Sequence, residues 1–202
     1  MDVLTTEREK LLASAASLFE RYGYKKTTIE DIARDSGIGK GSVYLRFSSK
    51  AEIAIACIRQ VGDRWWAEIS VPEKQGPSDQ VVEFLTRRIL VRFNDFDRYR
   101  QTWEECYDAL SADIREIAVE IQEREARHLK SIIRTGIEAG EFTSIDPLGD
   151  ARIMILASNS LIPYRRKVDD NYDRRTIEEH ATALANLLVR ALRRAPADAT
   201  RN

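Results

Sequence analysis

The sequence predicts an all-α protein, and two observations carry this prediction. Apolar residues recur at helical period along almost all of the 202 residues, and no stretch keeps the alternation of apolar and polar residues that is typical of a strand. Glycine and proline stand where these periodic segments end. The segment from Val71 to Ser78 holds two prolines and a glycine, and it separates a small N-terminal group of helices from a larger C-terminal group.

The N-terminal group has clear helix signals. We expect helices at about 5–22, 28–36, 39–46 and 49–70. Gly23 and Gly37 can end the first two, because glycine tolerates the left-handed backbone that follows a helix. Thr28 begins the second helix as its N-cap, and Ser49 with Glu52 matches a capping box at the start of the fourth.

The C-terminal group is expected to hold longer helices. They are predicted at about 78–94, 97–110, 112–139, 147–164 and 176–194. Gly140 closes the longest one, while Asp146 and Pro147 supply an N-cap and a proline at the first helical position of the next. Residues 196–202 are small and polar, and we expect them to be a disordered tail.

The composition excludes several classes of protein. With 32 basic and 33 acidic residues the net charge is −1, so the chain as a whole does not indicate nucleic-acid binding, although a local basic surface is possible. Cys57 and Cys106 lack metal-ligand spacing and are expected to be single buried thiols in a reducing compartment. The charged N-terminus is unlike a signal peptide, and no apolar run is long enough to span a membrane. We therefore expect a cytoplasmic protein without metal or cofactor.

A glycine-rich stretch, DSGIGKGSVYLRFSSK at 35–50, could belong to a nucleotide-binding loop or to a DNA-binding turn. Gly37, Gly39 and Gly41 do not match G-x-G-x-x-G, and Lys40 precedes Gly41 where a P-loop needs it to follow. Both nucleotide motifs also require a preceding strand, whereas a helix is predicted here. Nucleotide binding is therefore disfavoured.

The same stretch fits a helix-turn-helix, in which two short helices meet across a tight turn that often contains glycine. The residues expected to share its apolar core are Ile29, Ile32, Ala33, Ile38, Val43 and Phe47. The opposite face of the third helix then presents lysine, glycine, tyrosine and a hydroxyl, which suit a groove lined with phosphates. Between Arg21 and Lys50 the chain has seven basic and three acidic residues. Lys50 lies in the first turn of a predicted helix, where the helix dipole is unfavourable for a cation and a bound anion would offset it.

Three segments carry a resemblance to a known family. TIEDIA at 28–33, SGIGKGSVY at 36–44 and FSSK at 47–50 closely resemble the TetR family of bacterial transcriptional regulators, and IRTGIEAGEF at 133–142 resembles the end of that family's long seventh helix. Gly39 departs from the family, which commonly has a serine or threonine cap there. The resemblance implies a DNA-binding domain at 1–50 and an effector-binding and dimerisation domain at 51–195, with 51–70 as the connecting helix. The residues that it assigns to DNA contact are Thr28, Lys40, Gly41, Ser42, Tyr44, Leu45, Arg46 and Lys50.

For two of these residues the sequence leaves an alternative open. Tyr44 is predicted to contact a phosphate, but it could also be a half-buried core aromatic. Arg46 could equally be a solvated surface charge.

The C-terminal helices carry apolar stripes whose pattern fits either a dimer interface or packing within the chain. The resemblance favours the dimer. The interface residues it implies are Ile155, Leu156, Ile177, Ala181, Leu184, Leu188 and Ala191. Aromatic residues between the two groups could simply fill the core. The resemblance instead implies a pocket for an unidentified effector, lined by Trp65, Phe93, Phe96, Trp103 and Tyr107.

No catalytic constellation is found in the sequence. The histidines, His128 and His180, lie on separate predicted helices at positions expected to be exposed, and no charged residue of the second domain is expected to point inward. An uncharged or amphipathic effector is therefore preferred. The sequence predicts a homodimeric, ligand-released repressor that binds a palindromic operator. The alternatives are an activator or a ligand-independent DNA-binding dimer, and then a helical enzyme or nucleotide-binding protein.

Overall fold

The computed structural model describes residues 3–70, 76–162 and 173–193, without the side chains of residues 3–5, 97 and 98. Within these ranges the protein is all-α, as the sequence predicts, and contains no strand. The helices are α1 (Val3–Tyr22), α2 (Ile29–Ser36), α3 (Lys40–Tyr44), α4 (Lys50–Ile69), α5 (Pro77–Arg98), α6 (Arg100–Glu138), α7 (Pro147–Ser158) and α8 (Arg174–Leu192), with a 3-10 turn at Asn159–Leu161. In this part of the chain no helix is both long and apolar enough to cross a membrane.

Helix ends follow the predicted signals closely. Thr28 accepts a hydrogen bond from the Asp31 amide at 3.1 Å, and the Asp31 carboxylate accepts one from the Thr28 amide at 3.1 Å, which completes a capping box. At the start of α4 the Ser49 hydroxyl accepts from the Glu52 amide, but the Glu52 carboxylate accepts from Ser48 instead of Ser49. One of the two predicted capping-box hydrogen bonds is therefore present, and the other goes to the preceding residue, Ser48.

Most predicted boundaries differ by a few residues, and two differ in kind. The helices expected at 97–110 and 112–139 are one continuous helix, α6, and the expected break survives only as non-helical backbone at Leu110, with φ −131° and ψ 29°. The helix expected at 147–164 leaves α-helical geometry after Ser158. Its last two residues, and the predicted tail at 196–202, lie outside the described residues.

The chain packs as two compact units. The first unit consists of Met1–Arg64 with Asp97–Ala118, and the second of Trp65–Phe96 with Val119–Asn202. Three helices, α4, α5 and α6, therefore each contribute to both units. The predicted domain boundary at residue 50 separates two functions, and it stays a prediction. By packing, the start of α6 belongs to the same unit as α1, α2 and α3.

The core of the first unit comes from the apolar faces of α1 to α4. Fully or almost fully buried side chains include Leu11, Leu12, Phe19, Ile32, Val43, Phe47 and Ile53. Cys57 and Cys106 are also buried, and burial raises the pKa of each thiol to about 12. Both cysteines therefore remain protonated thiols at neutral pH.

The second unit encloses three charged side chains, where the sequence analysis expected no charge to point inward. Arg88, Arg92 and Glu125 are 0%, 2% and 1% exposed. Arg88 donates from Nε to the Glu125 carboxylate at 2.8 Å, and Arg92 forms an ion pair with the other oxygen of the same carboxylate. Burial alone would raise the pKa of Glu125, but the two guanidinium groups outweigh it and hold the pKa below its usual range. The expectation that no charge points inward is wrong.

His128 was also expected to be exposed, and the structure shows it half-buried in the second unit. Its ring lies edge-on to Trp66, with centroids 5.3 Å apart, and 5.2 Å from the ring of Phe84. Burial lowers the pKa of His128, so the neutral imidazole is the form that this environment favours.

Candidate nucleic-acid interface

A tight glycine turn joins α2 to α3. Gly37 follows α2 with φ +69°, a left-handed conformation that glycine adopts without the steric cost of a Cβ. The Ile38 amide donates back to the Ala33 carbonyl at 3.1 Å, and the Gly37 amide donates to the Arg34 carbonyl at 3.3 Å. These bonds satisfy the last carbonyls of α2 and turn the chain into α3. The predicted helix-turn-helix is therefore present.

The inner side of this motif is closed by apolar packing. Ile32 and Val43 are completely buried, and Phe47 is 2% exposed. Ile29 and Ile38, which were predicted to share the core, are half-buried at its edge. The packing fixes which side of α3 can face a partner.

The outer side of α3 is open. Tyr44 is 47% exposed and Leu45 is 86% exposed, which is unusual for apolar side chains of this size. Lys40 and Gly41 are exposed beside them, and Ser42 is half-buried. A Cβ built at Gly41 would meet no atom within 4 Å, so space inside the chain does not require glycine there. The exposed residues are those that the sequence analysis assigned to the DNA-reading face.

The cations near this face have acidic partners. Lys40 forms an ion pair with Glu30, and this pairing lowers the pKa of Glu30 and raises that of Lys40. Arg46 forms an ion pair with Glu7 of α1 and donates to the Ser42 carbonyl at 2.8 Å, with only 15% of its side chain exposed. Arg46 thus ties α1 to the end of α3 and is not a solvated surface charge, while its contact with DNA stays a prediction.

Lys50 has an internal role that the sequence did not indicate. Its ammonium donates to the carbonyls of Tyr24 and Thr27 at 2.9 Å and of Lys25 at 3.4 Å, and it lies 4.4 Å from the centroid of the Tyr24 ring. An ammonium has three N–H donors, and these three carbonyls occupy all of them. The phosphate contact predicted for Lys50 stays a prediction, alongside this hydrogen bonding to the α1–α2 turn. Thr28, which the resemblance also assigns to DNA contact, is exposed as the N-cap of α2.

The start of α6 is hydrogen-bonded to the same turn. The Thr102 hydroxyl donates to the Phe19 carbonyl at 2.6 Å, and the Glu105 carboxylate accepts from the Lys25 amide at 2.7 Å. Burial favours a raised pKa at Glu105, but the bond from Lys25 and its neighbours prevail and lower it, so the carboxylate is ionised. Sequence analysis missed both residues, because the hydrogen bonds join positions some 80 residues apart.

The five aromatics predicted to line one effector pocket fall into different units. Trp65, Phe93 and Phe96 are buried in the second unit, where the Trp65 indole donates to Asp95 at 2.6 Å. Trp103 and Tyr107 are half-buried in the first unit. Their grouping around one ligand stays a prediction.

The predicted dimer residues also differ in burial. Ile155, Ile177 and Ala181 are at most 2% exposed within their own chain, so packing inside the second unit accounts for them. Leu184 and Leu188 are half-buried, and Leu156 and Ala191 are exposed. Two large exposed apolar side chains on α7 and α8, Ile153 at 63% and Leu187 at 55%, were missed.

Three comparisons connect this geometry to known proteins. Residues 11–57, which contain the helix-turn-helix, match the family model of bacterial regulatory proteins of the tetR family. The HTH-type transcriptional regulator YhgD of Bacillus subtilis is 24% identical over 184 residues, covering 86% of this chain and 92% of that protein. A TetR-family transcriptional regulator from Mesorhizobium loti has the same fold, with a TM-score of 0.72 at 18% identity over 96% of this chain and all of that one.

A further solved structure, concerned with the control of antibiotic production by a bacterial hormone, is 25% identical with a TM-score of 0.61 and covers 96% of this chain and all of that one. The relatives are transcriptional regulators and not enzymes. The exposed face of α3, the glycine turn that positions it and these matches lead to one conclusion: the chain is a DNA-binding transcriptional regulator of TetR type, whose residues 11–57 are a DNA-binding domain of the tetR family.

Proposed function

We propose that the protein is a homodimeric repressor that binds a palindromic operator through α3 and leaves it when a small effector binds. The observation that carries the proposal is the outer face of α3, where Tyr44 and Leu45 are exposed beside Lys40 and Gly41 on a helix held by a buried inner face. A regulator of this kind acts in the cytoplasm, the bacterial compartment that holds the DNA.

Each exposed group on α3 suits a different part of a duplex. The Tyr44 hydroxyl can donate to a phosphate oxygen, which fixes position without reading sequence. Leu45 can contact the methyl group of thymine in the major groove, which distinguishes an A·T pair. Lys40 can reach a phosphate or the acceptor edge of guanine, provided that it leaves Glu30.

The dimer is proposed on the exposed apolar residues of α7 and α8. Ile153, Leu156 and Leu187 are each more than half exposed, and they lie on α7 and α8, the two helices that the family resemblance assigns to dimerisation. A two-fold interface places the same surface on both subunits, so two helices from each chain would form a four-helix contact. Leu156→Glu is expected to give monomers in sedimentation experiments and to abolish tight operator binding. The matched control is Val119→Glu, which changes an apolar residue of the second unit that is 66% exposed on α6.

Selection of bound duplexes from a random pool tests the DNA-reading proposal. We expect a dyad-symmetric site whose half-sites lie one helical turn, or a small multiple, apart. Leu45→Ala should relax the preference at one position in each half-site, with a loss of about 1–3 kcal/mol against the preferred base. Ile145→Ala removes a fully exposed apolar side chain elsewhere and should leave the selected site unchanged. Recovery of sites without dyad symmetry would contradict the proposal.

Release by an effector is proposed on a basis separate from DNA binding. It rests on the family membership and on the similarity to a protein solved for hormone control of antibiotic production. A ligand can shift the DNA-binding equilibrium only by the difference between its affinities for the two states. A reporter gene behind the selected operator, with and without the regulator, distinguishes a repressor from an activator, and release of the operator in metabolite extracts distinguishes effector control from ligand-independent binding.

A further inference from the structure

The first unit contains a cavity of about 310 Å³. Its walls are α1, α4 and the first turns of α6, and it is partly open to solvent. Residues that line it include Ala16, Ala54, Cys57, Val61, Trp103 and Cys106. Every lining residue belongs to the unit that carries the helix-turn-helix, whereas the sequence analysis sought the effector among aromatics that mostly lie in the second unit.

The chemistry of the wall selects an uncharged, apolar ligand. The lining is mostly carbon and thiol, and burial keeps both thiols protonated. The inner polar groups already have partners in the chain, since the Thr102 hydroxyl donates to the Phe19 carbonyl and the Cys57 thiol lies 3.7 Å from the Leu12 carbonyl oxygen. A water molecule would therefore find few hydrogen bonds in this space. The charged lining residues, Glu20 and Arg64, are exposed, so charge borders the solvent side and not the inner wall.

The volume indicates the size of the ligand. An apolar cavity of about 150 Å³ in another protein stays dry and accepts benzene. A cavity about twice as large accommodates a fused two-ring molecule. The small residues Ala16 and Ala54 leave room for flat rings between α1 and α4, and Trp103 offers an aromatic face for them to contact.

We propose that this cavity binds a small uncharged apolar molecule of bicyclic size, and that its occupancy changes the affinity of the protein for operator DNA. α1 packs on α2, Arg46 ties α1 to the end of α3, and Lys50 of α4 donates to the α1–α2 turn. α6 is hydrogen-bonded to α1 and to the same turn through Thr102 and Glu105. A molecule between these helices therefore acts on the elements that hold the recognition helix. The binding step is independent of the proposed function, whereas the effect on DNA rests on it.

The binding step is tested with indole as the probe, and with indole-3-carboxylate as a charged compound of similar size. We expect indole to raise the unfolding temperature of the full chain in a concentration-dependent way, and to slow modification of Cys57 and Cys106 by methyl methanethiosulfonate. The carboxylate should do neither. Ala16→Leu and Val61→Phe place bulk in the cavity from α1 and from α4, and each should weaken indole binding about ten- to a hundredfold.

Ala109→Leu is the matched control, because Ala109 is exposed on α6 in the same unit and does not line the cavity. Equal indole affinity in all three variants would place the site elsewhere and overturn the proposal, as would the absence of binding to the wild-type protein. If Ala16→Leu alters the oligomeric state while no bicyclic compound binds, the cavity receives a second copy of the chain, and the proposal is likewise overturned.

The effect on DNA is measured as the ratio of operator dissociation constants with and without saturating indole. We expect this ratio to differ from one in the wild-type protein. Ala16→Leu permanently occupies part of the cavity, so it should shift the affinity in the same direction without indole. A ratio of one overturns the regulatory step. If the protein selects no operator at all, the proposed function fails, while the thermal and thiol measurements still report on the cavity.

Discussion

Replacing Lys50 by methionine tests which role its ammonium has, because methionine keeps an unbranched apolar side chain and removes the charge and donors. The wild-type ammonium donates to three carbonyls of the α1–α2 turn, two of them at 2.9 Å, and lies 4.4 Å from the Tyr24 ring centroid. A hydrogen bond from a charged group contributes about 1.5–3 kcal/mol, and a partly exposed cation–π contact about 0.5–1 kcal/mol. These contributions overlap in one group, so we expect a loss of about 2–4 kcal/mol in the free energy of unfolding.

Two measurements separate the structural role from phosphate contact. For a chain of about 200 residues, the expected loss lowers the unfolding temperature by roughly 5–15 °C. Operator affinity is then measured against salt concentration at a temperature where both proteins are folded. A lost phosphate contact lowers the magnitude of the salt slope by about one, whereas loss of the bonds to the turn leaves the slope unchanged.

The control is Lys26→Met, which removes an exposed lysine from the same turn. It should change the unfolding temperature little, because isolated surface charges contribute less than about 1 kcal/mol. If Lys50→Met unfolds at the wild-type temperature and loses one unit of salt slope, our assignment of Lys50 to the turn is wrong and the phosphate prediction is right.

Three further predictions concern stability. Glu125→Gln leaves two buried arginines without their carboxylate and should cost about 3–5 kcal/mol at pH 7, while Glu123→Gln, two residues away in exposed ion pairs, should cost less than about 1 kcal/mol. Because the pKa of Glu125 is lowered in the folded state, its contribution should be complete above its unfolded pKa and fall away as the pH drops through the folded one. Burial lowers the pKa of His128, so as the pH falls the unfolded chain takes up the proton before the folded chain does. The free energy of unfolding should therefore decline below about pH 6.5. His128→Phe should remove that part of the decline when thermal unfolding is followed from pH 7 to pH 5. Gly37→Ala should lower the free energy of unfolding by about 1 kcal/mol, because the φ of Gly37 is +69°. Gly41→Ala should raise it slightly, because Gly41 lies in a helix and a Cβ there meets no atom within 4 Å. The same variant should weaken operator binding if the DNA groove lies close to Gly41.

The sequence predicted features whose cause is local. The capping box at Thr28 and the left-handed Gly37 depend on residues within one or two turns, so their spacing was sufficient to identify them. Apolar periodicity likewise identified Ile32, Val43 and Phe47 as the inner side of the helix-turn-helix. Once that side is buried, helix geometry leaves the opposite residues of α3 exposed.

Partners distant in the chain could not be predicted in this way. In the sequence, Lys50 and Arg46 are two basic residues near a recognition helix. In the structure Lys50 donates to carbonyls of the α1–α2 turn, and Arg46 pairs with the carboxylate of Glu7, which lies 39 residues earlier in the chain. Arg88 and Arg92 lie one helical turn apart on α5, a spacing that fits a solvated face as well as a buried pair. Their burial depends on Glu125, which follows more than 30 residues later.

α6 contributes residues to both units of the chain. Allosteric control needs an element whose arrangement matters to both sites, and α6 begins in the first unit and continues into the second past residue 118. Its first turns are fixed to α1 and to the α1–α2 turn by the bonds of Thr102 and Glu105, while Glu125 binds the two buried arginines in its second part. Leu110, between these two parts, departs from helical geometry, with φ −131° and ψ 29°. One continuous helix therefore supplies both the hydrogen bonds to the α1–α2 turn and the carboxylate that pairs with the two buried arginines.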